Sequence, residues 1–184
     1  MHFGRLGPMV TLAVAVMAGT AAAAPYDLQT DTNVSSPSPL TACTFGASPD
    51  FASAYDSTEV EPQVAVNPKD PGEIIGATQQ DRWPDGGARG LSSWMSADGG
   101  GSWAKLSDAP WSGCQGGPPR FGRVTDPWVS YDKAGNAYFI GQPIDSAALG
   151  ISAISVTTLD RGTGTWRTPQ ILIEDNGARG TSND

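Results

Sequence analysis

Between positions 79 and 90 the chain reads Gln79-Gln80-Asp81-Arg82-Trp83-Pro84-Asp85-Gly86-Gly87-Ala88-Arg89-Gly90, a dense mixture of cations, carboxylates, amides and glycine. A second charged stretch follows, Arg120-Phe121-Gly122-Arg123-Val124-Thr125-Asp126-Pro127-Trp128. An arginine guanidinium donates two parallel hydrogen bonds to the two oxygens of a carboxylate. Arg82, Arg89 and Arg123 are therefore candidate binders of an anionic ligand. Asp85 and Asp126, with Asp81 beside them, are candidate catalytic acids, since a positioned carboxyl group can give or take a proton. A plainer reading stands next to this one. The arginines pair with Asp81, Asp85 and Asp126 to pin loops, and Asp126 before Pro127 caps a turn. The single histidine, His2, lies in the leading segment, so a Ser–His–Asp hydrolase is excluded. Two cysteines with no histidine nearby make no zinc site, and Asp132-Lys133-Ala134-Gly135-Asn136 lacks the acidic spacing of a calcium loop. No metal and no cofactor is expected.

The elements that must position these residues read as short strands. Gln63-Val64-Ala65-Val66, Ile74-Ile75-Gly76-Ala77-Thr78, residues 91–95 and Ala104-Lys105-Leu106 are strand runs broken by turn residues, four in about 50 positions. Residues 79–90 then form a polar loop between the second and third strands. The pattern recurs. Glu61-Pro62-Gln63-Val64-Ala65-Val66-Asn67 is echoed by Asp126-Pro127-Trp128-Val129-Ser130-Tyr131-Asp132, with Pro62 and Pro127 65 positions apart. Ala137-Tyr138-Phe139-Ile140-Gly141, residues 151–157 and Ile171-Leu172-Ile173 supply further strands. Trp103 and Trp166 stand 63 positions apart, close to the same period. The predicted class is all-β.

One turn stands out: Ser96-Ala97-Asp98-Gly99-Gly100-Gly101-Ser102-Trp103. Asp98 can accept hydrogen bonds from its own turn, the glycines permit positive φ, and Trp103 is placed to anchor the turn in a core. This pattern resembles the Asp box, or BNR repeat, of the sialidase superfamily, with Ser96, Asp98, Gly100 and Trp103 as its structural positions. Asp160-Arg161-Gly162-Thr163-Gly164-Thr165-Trp166 resembles a degenerate copy. The segments at 79–90 and 120–128 are similar to those of exported bacterial sialidase-like proteins. The resemblance implies a partial sialidase-like β-propeller of about two four-stranded blades, near 59–110 and 124–176. It implies an exo-sialidase type of glycoside hydrolase with a glycan or sialoside as partner. The alternative is a non-catalytic propeller module that binds glycans or protein. The chain departs from the family pattern in lacking Phe-Arg-Ile-Pro and in offering no placeable Tyr–Glu pair. A propeller of this type has six blades, so the chain reads as part of a longer protein or as a unit whose copies associate through open sheet edges.

Length and composition frame these readings. The chain has 184 residues, with 23 Gly and 15 Pro and only 16% charged residues, a balance that suits turn-rich β structure. A net charge of -8 disfavours a nucleic-acid partner. Residues 1–24 combine Arg5, a short apolar run and Ala21-Ala22-Ala23-Ala24, the pattern of a signal peptide. The expected location is secreted or periplasmic, with no membrane contact after cleavage. Residues 25–58 read as an extended, partly disordered leader. An even cysteine count in an exported chain favours a Cys43–Cys114 disulfide, with two separate buried thiols as the alternative.

Overall fold

A computed structural model describes residues 33–35, 37–50, 52–145 and 150–175. The signal-peptide expectation for 1–24 falls outside them. Nine strands form one open antiparallel sheet, and the described residues contain no α-helix. The first four strands are β1 (Glu59–Asn67), β2 (Asp70–Arg82), β3 (Ala88–Ser96) and β4 (Ala104–Lys105). They are followed by β5 (Arg123–Tyr131), β6 (Ala137–Ile144), β7 (Ser152–Asp160), β8 (Thr165–Trp166) and β9 (Gln170–Asp175). The strands fall into two meanders, β1 to β4 and β5 to β9. They join through the ladder pair Ala88 with Val124 and an isolated parallel bridge between Ser107 and Thr165.

The repeat is written in the backbone as well as in the sequence. β1 carries a bulge between Val60 and Gln63, and β5 carries one between Thr125 and Trp128. Glu61 and Asp126 sit inside these bulges with φ of 56° and 54°. Each precedes a proline, which donates no ladder hydrogen bond and is tolerated at a bulge. In β2 with β3, Ala77 faces Ser93; in β6 with β7, Ile140 faces Val156, 63 positions on in both strands.

Alternation of side chains gives each meander two faces. Ile75, Ala77 and Leu91 point from the first meander into the core. Val129, Ala137, Phe139, Leu159 and Trp166 meet them from the second, with Trp111 between. Trp111 packs edge-on against Phe139 at 5.2 Å, and Phe139 packs against Trp166 at 5.3 Å. A Cβ on Gly141 would lie 2.6 Å from Leu91 Cδ1, so glycine is required where β6 crosses this layer. Trp166 Nε1 donates to Ser93 Oγ at 2.8 Å across the two meanders. A second tie joins them at the turn end of the sheet. Arg161 donates to both oxygens of Glu73 and to Gly135 O. Burial pushes the Glu73 carboxyl up, but the hydrogen bonds from Arg161, Asn67 and Tyr131 outweigh it, and the net shift is downward.

Two expectations change. Residues 79–90 are not one long loop: β2 runs to Arg82, β3 starts at Ala88, and the turn is 83–87. These polar residues stay in strand conformation because their side chains are hydrogen-bonded inside the protein, where apolar periodicity leaves no trace. The described parts of 37–58 are turns packed on the sheet rather than an extended leader. Leu40, Ala54 and Ser38 are buried, and Cys43 is joined to Cys114 by a disulfide, with Cα atoms 5.7 Å apart.

Candidate functional site

The candidate residues gather at the end of the sheet that carries turn 83–87, away from the turns at 97–103 and 161–164. They form two clusters. The first is built on Trp83, which is fully buried. The Arg89 and Arg123 guanidiniums lie over its ring at 5.6 and 4.9 Å. Arg123 is itself 0% exposed and bonds Asp85 Oδ1, Gly86 O and Gly46 O, each at 2.7 Å. Arg89 bonds Asp81 and Asp56. Asp81 sits in the left-handed region with φ of 61°. It accepts from Ser38 Oγ at 2.7 Å, Ser57 N at 2.8 Å and Gln80 Nε2 at 3.0 Å. A buried charge has to be paired and hydrogen-bonded, and here each charge is. Arg89, Arg123, Asp81 and Asp85 thus form a lock that fastens segment 38–57 to the sheet.

The second cluster spans β1, β2 and β5. Gln79 Nε2 donates to Glu61 Oε2 and, at 2.7 Å, to Thr125 Oγ1. Thr125 Oγ1 donates to Asp126 Oδ1 at 3.0 Å, and Arg82 Nη1 donates to Gln79 Oε1 at 3.2 Å. Gln79 is buried, whereas Glu61 and Asp126 are exposed and Arg82 is half-exposed. The outcome is a short row at the junction of the repeats: carboxylate, amide, guanidinium, hydroxyl, carboxylate. Arg82 and Asp126 were legible as candidates; Glu61, Gln79 and Thr125 were not. The signal that finds Glu61 is its repeat position, since Glu61-Pro62 stands 65 positions before Asp126-Pro127. Of the tryptophans, Trp83, Trp94 and Trp111 are buried and Trp128 is 57% exposed. Among the described residues no group of three or more His, Cys, Asp or Glu is placed to hold a metal ion.

The turn at 96–103 closes on Asp98. Ser102 donates to it from both its N–H and its hydroxyl, at 2.8 and 2.7 Å, and Ser96 Oγ donates at 2.8 Å. Gly100 N bonds Ser96 Oγ at 2.8 Å. Trp103 Nε1 bonds Gly100 O at 3.1 Å, but its ring is half-buried rather than sealed in the core. In the second turn Arg161 occupies the position of Asp98, and the turn closes on the Asp160 carbonyl, with Gly164 N at 2.8 Å.

The hydrogen bonds of Ser102, then of Ser96, hold the Asp98 carboxyl at about 2, below its ordinary 3.8. The folded value lies below the unfolded one. The stabilisation is therefore complete at neutral pH and is lost as pH falls from about 4 through about 2. Asp98→Ala is expected to lower the melting temperature at neutral pH, and the gap to the unsubstituted protein should narrow as the melts are repeated toward pH 2. A gap independent of pH would show that the carboxylate is not what closes the turn.

No family model matches the chain, and no curated protein matches it.

Proposed function

We propose that the chain supplies two adjacent blades of an exported, sialidase-like β-propeller whose ligand is a glycan. The carrying observation is the open row Glu61–Gln79–Arg82–Thr125–Asp126. Carboxylates, amides and hydroxyls fixed by mutual hydrogen bonds complement sugar hydroxyls, which both donate and accept. Only one of the three candidate arginines keeps a guanidinium that solvent reaches: Arg82 pairs loosely with Glu61 at 3.9 Å, whereas Arg89 and Arg123 are buried against Asp56, Asp81 and Asp85. That favours recognition of a glycan with at most one anionic group over a three-arginine clamp. The disulfide is consistent with an exported protein, secreted or periplasmic.

Binding is tested with the secreted protein on immobilised neutral and sialylated glycans. Arg82→Lys keeps the charge but loses the planar fork. Asp126→Asn removes a charged acceptor at an exposed position. Each is expected to weaken binding by about tenfold or more, which corresponds to about 1.4 kcal/mol. Equal binding by both variants, or no glycan bound at all, would sink this reading.

Hydrolysis is the second reading. It is favoured by the two carboxylates, Glu61 and Asp126, placed at matched bulges and linked through Gln79 and Thr125. Glycoside hydrolysis uses such a pair, one carboxyl protonating the leaving oxygen. In this reading Arg82 holds the sugar carboxylate, Asp126 is the acid, and Asp85 stays paired to Arg123. Release of sialic acid by the chain, abolished by Asp126→Asn and retained in Asp85→Asn, would establish it.

A further inference from the structure

The two meanders of this chain meet through different faces, and the other face of each keeps exposed apolar side chains among the described residues. Residues Val129, Ala137, Phe139 and Trp166 of the second meander pack on Ile75, Ala77 and Leu91 of the first. By the same repeat, Val64, Ile74, Gly76 and Trp103 hold the positions of Val129, Ala137, Phe139 and Trp166. Yet Val64 is 64% exposed and Val66 51%. A cavity of about 420 Å³ lies over Gly76, walled by Val64, Trp94 and Trp103 and, from the leading segment, by Asn33, Val34 and Ser35. The second meander shows the converse. Ile140, Ile154 and Val156 lie where Ala77, Leu91 and Ser93 lie in the first. They are only half-buried, and beside them Trp128 and Ile173 are each 57% exposed.

We propose that this chain self-associates head to tail: the Trp128–Ile140–Val156 face of one copy docks on the Val64–Val66–Trp103 face of the next. The occupant is a second copy because, among the described residues, both halves of an interface that the chain already forms internally recur on its outer faces with apolar side chains exposed. Phe139 fills space on the second meander where Gly76 leaves a cavity on the first, so the open face has room for a ring. Exposed aromatic and β-branched side chains at that density mark an association surface. Two different faces make a heterologous contact, which propagates until rotation closes it into a ring. The inference rests on strand register and exposure and is independent of the glycan row.

The test uses the full secreted chain, disulfide intact, in sedimentation velocity over a concentration series. The unsubstituted protein is expected to shift to larger species as concentration rises. Val64→Glu blocks one face and Trp128→Glu the other, so each alone should run as a monomer. Mixed one to one, they should form a dimer and nothing larger, because each variant keeps the face the other has lost. Unchanged melting curves for both variants show that they remain folded; Val66→Glu replaces Val64→Glu if that variant does not. A strict monomer at every concentration would overturn the proposal and leave the open faces to further repeats. So would failure of the two variants to pair, or oligomers that both variants retain.

Discussion

Arg123→Ala is expected to cost about 3–5 kcal/mol of folding stability, the range for removing one partner of a buried ion pair. The guanidinium is 0% exposed, and three of its bonds go to groups with few other partners: Asp85, Gly46 O and Gly86 O. Truncation leaves the Asp85 carboxylate uncompensated and two carbonyls without a donor. It also removes the cation from above Trp83 and loosens the 83–87 turn from segment 38–57. Arg123→Lys keeps the charge, yet an ammonium on a flexible stem cannot serve the same acceptors in one geometry. Its expected cost is about 2 kcal/mol, since some of the hydrogen bonds survive. Urea unfolding at neutral pH measures both. The same samples, assayed for glycan binding under conditions where they are still folded, should bind normally. Loss of binding with an unchanged unfolding midpoint would make Arg123 a ligand residue and would move the site to the Trp83 cluster.

That outcome matters because the sequence offers the three arginines as equals. Their separation comes from partners that no local pattern announces. Arg89 meets Asp56, 33 positions away, and Arg123 meets Gly46, 77 positions away. Both partners lie in a segment with no apolar periodicity, which therefore reads as a loose leader. Its order comes from hydrogen bonds to Asp81 and from the Cys43–Cys114 bond. The strands were legible because alternate positions face a core. Val64-Ala65-Val66, Ile74-Ile75 and Phe139-Ile140 fall inside β1, β2 and β6. The repeat was legible through Pro62 and Pro127, 65 positions apart, which stand at matching bulges in β1 and β5. Strand ends were less so. Gln79, Gln80 and Asp81 are polar and completely or almost completely buried, and burial of polar groups follows from partners, not from hydropathy.

The two tryptophans at the ends of the matched turns should respond very differently to truncation. Trp166 is 6% exposed, stacks near Phe139 and donates to Ser93 from the other meander. Trp166→Ala would open a cavity in the layer that joins the repeats, and about 3–5 kcal/mol is expected to be lost. Trp166→Phe keeps most of the volume and loses the hydrogen bond, so about 1 kcal/mol is expected. Trp103 occupies the same repeat position, but on the face that has no meander against it. It covers Gly76, with Cζ3 at 3.6 Å from where a Cβ would lie, and part of its ring meets solvent. Trp103→Ala removes less buried area, because the ring is only half-buried, so about 1–2 kcal/mol is expected. Unfolding midpoints of the isolated variants, at concentrations low enough to keep the chain monomeric, give this order directly. At concentrations where copies associate, Trp103→Ala should lose more than it does in dilute solution, because a docked copy would bury that ring as Trp166 is buried. A Trp103 penalty equal to that of Trp166 in the dilute monomer would mean that the turn at 96–103 is already sealed. The open face would then end at Val64 and Val66.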